Sequence, residues 1–208
     1  MFTGIITATG TLCALTPKAG GVTIEITSSS FDFDNVQIGD SIAVNGCCLT
    51  VTAHNTSCHP PLLSFDLSPE TLAKTSGFVK NGNVNLEKAM RLSDRLDGHL
   101  VSGHVDGVGK IIKLAPVASN DPAQEHNYLL VIEVPKPLLP LIATKGSLTV
   151  HGVSLTTNTI DQNHVSINLI PHTFSHTVFS SMKVGDHVNL EIDLIARYVA
   201  RLMSFDLK

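Results

Sequence analysis

The chain repeats itself. Val44-Asn45-Gly46-Cys47-Cys48-Leu49-Thr50 returns as Val150-His151-Gly152-Val153-Ser154-Leu155-Thr156. Three further segments recur in the same order: Phe2-Thr3-Gly4 as Val101-Ser102-Gly103, Ser64 to Thr71 as Ser166 to Thr173, and Val84-Asn85-Leu86-Glu87 as Val188-Asn189-Leu190-Glu191. A length of 208 residues permits one large β domain or two domains of about 100 residues each. The repeat selects two, joined near residue 99, with offsets that change as loop lengths change. Each copy sets a small nucleophilic side chain, Cys48 or Ser154, between Gly and Leu-Thr, which predicts two related pockets with unequal chemistry.

Each copy reads as β structure. Residues 22–27, 128–134 and 165–169 alternate apolar and polar side chains, the pattern of half-buried strands. Turn signals such as Lys80-Asn81-Gly82-Asn83 and Val184-Gly185-Asp186 recur at the spacing of antiparallel barrels rather than of crossover α/β units. Pro69 and Pro171 should each end a strand and open a helical turn, because proline restricts the residue before it and suits the first helical position. No long amphipathic helix precedes residue 190. Asp193 to Met203 places Ile195, Val199 and Leu202 three to four residues apart, a short helix with one apolar stripe that either packs on its own barrel or joins subunits.

Composition narrows the function. With 43% hydrophobic and 15% charged residues the chain has the material for packed cores and too little charge for disorder. A net charge of −4, with 14 scattered Lys and Arg, argues against nucleic acid as a main partner. The start lacks a basic n-region, and the apolar region 128–143 is broken by Glu133, Lys136 and three prolines, so a cytoplasmic protein without membrane spans is expected. In that compartment Cys13, Cys47, Cys48 and Cys58 read as free thiols. No Cys-x-x-Cys occurs, and His99 and His104, five apart, are poorly placed for a shared zinc ion.

Met1-Phe2-Thr3-Gly4-Ile5, Asn45 to Thr50, Gly98-His99-Leu100-Val101-Ser102-Gly103-His104, Gly152 to Thr156 and Leu169-Ile170-Pro171 together resemble the riboflavin synthase family of the alpha-chain type, built of two lumazine-binding repeats. The resemblance covers nearly the whole chain. It implies a mainly β fold of two tandem pseudo-symmetric six-stranded antiparallel Greek-key barrels plus a C-terminal α-helix, divided as 1–99, 100–192 and 193–208. It implies a transferase that dismutates 6,7-dimethyl-8-ribityllumazine into riboflavin and 5-amino-6-(D-ribitylamino)uracil, without metal or cofactor. The partners implied are that substrate and product, a homotrimer with sites between barrels of neighbouring subunits, and lumazine synthase.

The physical logic of such a duplication is that two copies of one molecule must be held in register, which removes the entropy of their encounter. As catalytic residues the resemblance implies Cys48, His104, Ser154 and Ser41. A thiol can add to an electron-poor ring carbon or position a water, and an imidazole can carry protons near neutral pH. Taken alone, Cys48 would be a buried small residue and His104 a hydrogen-bonded structural group. Ligand contacts are implied at Gly4, Ile5 and Ile6; at Cys47, Cys48, Leu49 and Thr50; at Asp66, Leu67, Ser68, Pro69, Glu70 and Thr71; and at Gly103, His104 and Val105. In the second copy they are implied at Lys145, at Val153, Ser154, Leu155 and Thr156, and at Asn168, Leu169, Ile170, Pro171, His172 and Thr173.

Two positions depart from the family. His151 stands where an Asp is usual and His172 where a Glu is usual, both in the second copy, so a group that can donate or accept replaces a carboxylate acceptor. If that Asp assists proton transfer, His151 must take its place or the rate must fall. A lumazine or flavin carrier, such as an optical antenna, is the alternative function, and altered second-copy residues are where lost catalysis would show.

Overall fold

The computed structural model describes residues 1–118 and 126–204 and contains two closed six-stranded antiparallel barrels. The first uses β1 (Ala8–Lys18), β2 (Gly21–Thr27), β3 (Ser41–Val44), β4 (Cys47–Asn55), β5 (Leu62–Leu67) and β6 (Asn83–Lys88). Around the barrel they run β1-β2-β5-β4-β3-β6. The second uses β7 (Gly107–Pro116), β8 (Tyr128–Glu133), β9 (Ser147–Val150), β10 (Val153–Asp161), β11 (His164–Leu169) and β12 (His187–Ile192). Its order, β7-β8-β11-β10-β9-β12, is the same topology.

Alternation builds each core. Ile24 and Ile26 of β2 and Leu63, Phe65 and Leu67 of β5 point inward, and Val165, Ile167 and Leu169 of β11 do the same in the second barrel. Closure needs sharp local bends, which bulges supply. They fall at matching places: between Leu12 and Ala14 and between Ile111 and Lys113, then between Val51 and Ala53 and between Thr157 and Thr159.

Helix α1 (Pro69–Lys74) and helix α2 (Pro171–Ser175) each begin on the proline that announced them. Ser68 Oγ accepts from Thr71 N to cap α1, whereas Ile170 gives α2 no side-chain cap. Two 3₁₀ turns, Lys136–Leu141 and Val178–Ser181, lie within the second repeat. Helix α3 (Leu194–Met203) is capped by Asp193, whose carboxylate accepts from Ile195 N at 2.9 Å. Arg197 ties α3 to Asp106 at 2.8 Å, and Ala196 packs on the second core. The stripe does not pack on its own barrel: Ile195 and Leu202 are each 67% exposed, because the face turned to the barrel carries Ala196 and Arg197 instead.

The seam between barrels is polar and reciprocal. Asn85 Nδ2 donates to the His151 carbonyl and Asn189 Nδ2 to the Asn45 carbonyl, each at 2.9 Å. Asn85 Oδ1 accepts from Val178 N, and Asn189 Oδ1 accepts from Ser76 N. Gly46 and Gly152, both in the left-handed region with φ of 79° and 83°, meet so closely that a Cβ on Gly46 would lie 2.6 Å from Gly152 N. Only glycine fits there.

A candidate site on two matched outer faces

Cys48 lies on β4 between inward-pointing Cys47 and Leu49, so strand alternation turns its side chain to the outer face of the first barrel. Cys48 pairs with Ala43 and Thr50 with Ser41 across β3 and β4. Beyond them, Asp66 of β5 is exposed, paired with Lys18 and accepting from Thr23 Oγ1 at 2.7 Å. The second barrel repeats the layout: Ser154 pairs with Thr149, Thr156 with Ser147, and Asn168 is exposed on β11.

The segments that lead into each barrel cross over to the other one. Ser154 N donates to Gly4 O and Cys48 N donates to Gly103 O, both at 2.8 Å. Ile6 packs on the second core and Val105 on the first. Phe2 and Val101 join the two segments in an antiparallel bridge. A Cβ at Gly4 would sit 2.6 Å from Ser154 Cβ, and one at Gly103 the same distance from Cys48 Cβ, so both glycines are required by close approach.

Two buried carboxylates fix these segments. Glu87 accepts from Thr3 N at 2.6 Å, Thr3 Oγ1 at 2.7 Å and Gly4 N at 3.0 Å. Glu191 accepts from Ser102 N and Oγ at 2.6 Å and Gly103 N at 2.9 Å. Burial pushes both acids above the ordinary carboxylate range, and these hydrogen bonds pull them back. Burial also pushes the Cys47 thiol up to about 12, an inert thiol within the core beside exposed-face Cys48.

The expected contact residues therefore divide. Ser41, Cys48, Thr50, Asp66, Ser154, Thr156 and Asn168 turn outward on the strands, and Ser68, Pro69, Glu70, Thr71, Ile170, Pro171, His172 and Thr173 form the turns at α1 and α2. Cys47, Leu49, Leu67, Val153, Leu155 and Leu169 point into the cores and can offer a ligand only main-chain atoms. His104 is exposed directly after Gly103, with its N–H on Ser102 Oγ at 3.3 Å, so its backbone passes beside Cys48. Lys145 is exposed in a turn with φ of 67°. His172 stacks on His176 at 4.0 Å between ring centroids.

His151 is not on either outer face. It is 2% exposed at the seam, where its Nδ1 accepts from Asn189 N at 3.0 Å, as Asn45 Oδ1 accepts from Asn85 N at 2.8 Å. Burial pushes its pKa down to about 4, with Asp186 pulling the other way. It therefore works as a neutral acceptor that welds the barrels, and a proton-transfer role in its place is corrected accordingly.

Repeat comparison missed His99. Its Nδ1 lies 2.6 Å from Ser154 Oγ and its Nε2 3.1 Å from Thr149 Oγ1. The matched segments of the second copy begin at Val101, so repetition gives His99 no signal. Glu87, Glu191, Asn85 and Asn189 had a signal, paired Asn-x-Glu inside strands otherwise apolar, yet nothing assigned them to the seam.

The faces are shelves, exposed at Thr50 and Thr156 and half-buried at Ser41, Cys48 and Ser154. One cavity of about 350 Å³ opens beside the first lead-in segment, lined by Thr3, Ile5, Phe31, Lys88 and Arg95, and one of about 450 Å³ lies at the seam near His151 and Asp186.

Comparison with known proteins agrees with this duplication. The lumazine binding domain matches twice, over residues 3–89 and 102–193. The chain is similar to riboflavin synthases of Photobacterium phosphoreum (41% identical, covering 99% of this chain and 90% of that one), Bacillus subtilis (38%, 98% and 90%) and Brucella abortus (36%, 99% and 99%). A crystal structure of LumP complexed with riboflavin has a TM-score of 0.77 at 25% identity, covering 92% of this chain and 99% of that one. On these grounds the chain belongs to the riboflavin synthase family, whose members resemble it along both lumazine binding domains.

Proposed function

We propose that the chain is a transferase that converts two molecules of 6,7-dimethyl-8-ribityllumazine into riboflavin and 5-amino-6-(D-ribitylamino)uracil. The observation that carries this reading is the pair of matched outer faces that differ where chemistry would occur: Cys48 against Ser154 and His104 against Ile5. Two similar faces suit two copies of one substrate, and unlike groups let one copy give a four-carbon unit and the other receive it. The redistribution conserves atoms and electrons. The ring systems would lie over Cys48 with Thr50 and over Ser154 with Thr156, the ribityl chains meeting Ser41, Asp66 and Asn168, with α1 and α2 closing one end.

Shelves this open need a lid, and in this reading the first barrel of one subunit faces the second barrel of its neighbour in a homotrimer. The exposed stripe of α3 supports it. Association with lumazine synthase belongs to the same reading and rests on the family resemblance alone. So do the division of the chain at residues 99 and 192 and a cytoplasmic location; no helix among the described residues is long and apolar enough to cross a membrane. The carrier reading has less support, since the LumP structure is 25% identical and the synthases 36–41%.

The test is incubation of purified protein with 6,7-dimethyl-8-ribityllumazine alone. Riboflavin should appear at one molecule per two lumazines consumed, with the pyrimidine product seen by chromatography. Tight binding without turnover would establish the carrier instead.

A further inference from the structure

The lead-in segment Gly98 to His104 carries two histidines and gives one to each barrel. His104 follows the Gly103 that pairs with Cys48, while His99 reaches Ser154 directly. The backbone fixes His99: its N–H donates to Thr3 O at 3.1 Å, and a side chain on Gly98 would collide with that carbonyl. Thr149 Oγ1, on a residue 1% exposed, holds the far nitrogen at 3.1 Å.

A neutral imidazole donates from one nitrogen and accepts at the other. Burial lowers the basicity of His99 and so favours the neutral ring, with Asp193 pulling the other way. With the Thr149 hydroxyl donating to Nε2, the Nδ1–H is left to donate to Ser154 Oγ. The Ser154 hydroxyl hydrogen is then aimed outward at the ligand face. The first barrel differs at both strand positions: Ala43 stands at the place of Thr149 and Cys48 at the place of Ser154.

We propose that Thr149, His99 and Ser154 form a one-way hydrogen-bond donor chain that makes the second barrel the site for the anionic lumazine, leaving the electrophilic copy to Cys48 in the first. This rests on the functional reading above. A methyl group on an electron-poor ring is a carbon acid, and its anion spreads charge over ring heteroatoms. An aligned donor favours that anion over the neutral ring, as an oxyanion hole does. His99 touches the ligand only through Ser154 and is a positioning residue.

The experiment follows deuterium from solvent into the methyl groups of 6,7-dimethyl-8-ribityllumazine bound to the full chain, alongside the affinity for riboflavin, whose ring methyls are much weaker acids. Wild type should speed exchange. His99→Leu should slow it about 100-fold, the size of a lost oxyanion donor, while riboflavin affinity stays close to wild type and the circular dichroism spectrum stays that of the folded protein. His99→Asn keeps an N–H near the place of Nδ1 and should recover at least a tenth of the wild-type rate. Exchange at wild-type speed in His99→Leu, a loss of riboflavin affinity equal to the loss of exchange, or no rescue by Asn overturns the donor chain. Wild type that speeds exchange yet makes no riboflavin overturns the enzyme reading and leaves the donor chain standing.

Discussion

The two barrels share a frame and differ in its fittings. Strand order, bulge positions, the Glu87 and Glu191 clamps and the Asn85 and Asn189 links recur almost bond for bond. The groups that face a ligand do not: Cys48 answers Ser154, Ile5 answers His104 and Glu70 answers His172. Even within the seam, Asn45 is answered by His151, which makes the same acceptor bond with a titratable ring. Duplication thus supplies two equal platforms, and divergence at a handful of outward positions gives them unequal chemistry.

The largest break in this comparison should come from the shared frame. Glu191→Ala leaves the Ser102 and Gly103 donors buried without a partner and should cost about 3 kcal/mol by denaturant unfolding. Glu87→Ala should cost a similar amount, and one of them near zero would mean that the two clamps are not equivalent.

The seam should show the next largest difference, as a pH effect. Burial holds His151 at about 4 against 6.5 when exposed, so the folded state binds its proton less readily than the unfolded state. The stability linked to neutral His151 is complete above pH 6.5 and is lost as pH falls through about 4, amounting to about 3 kcal/mol. Glu87 and Glu191, pushed upward by burial, contribute with the opposite sign. The His151 part is therefore read as the difference between wild type and His151→Asn, which keeps an acceptor but no titrating ring. Parallel stability curves for the two proteins from pH 7 to 4 would contradict this.

Smaller contrasts follow at the helix starts. Ser68→Ala should cost about 1 kcal/mol through loss of the α1 cap, and Ile170→Ala should cost clearly less at the uncapped start of α2. Arg197→Ala removes a partly exposed ion pair to Asp106 and should change monomer stability by less than about 1 kcal/mol.

Much of this was legible in the sequence because repetition and strand alternation are local patterns. The doubled Gly-x-x-Leu-Thr motif, the prolines at 69 and 171 and the stripe at 195, 199 and 202 lead directly to barrels, α1, α2 and α3. The crossing of the lead-in segments was not legible, because no local pattern says that Gly4 reaches Ser154 rather than its own barrel. For the same reason His151 read as a candidate for proton transfer when it is a seam residue, and His99 passed unassigned.

In this reading inequality of the two faces, not their mere presence, drives the reaction. The most direct measurement is turnover of 6,7-dimethyl-8-ribityllumazine by Cys48→Ser, which makes the two faces carry the same hydroxyl, with lumazine affinity measured in parallel. Turnover should fall about 100-fold or more, a loss of about 2.7 kcal/mol of transition-state stabilisation, while lumazine still binds. Wild-type turnover in this variant would contradict the claim.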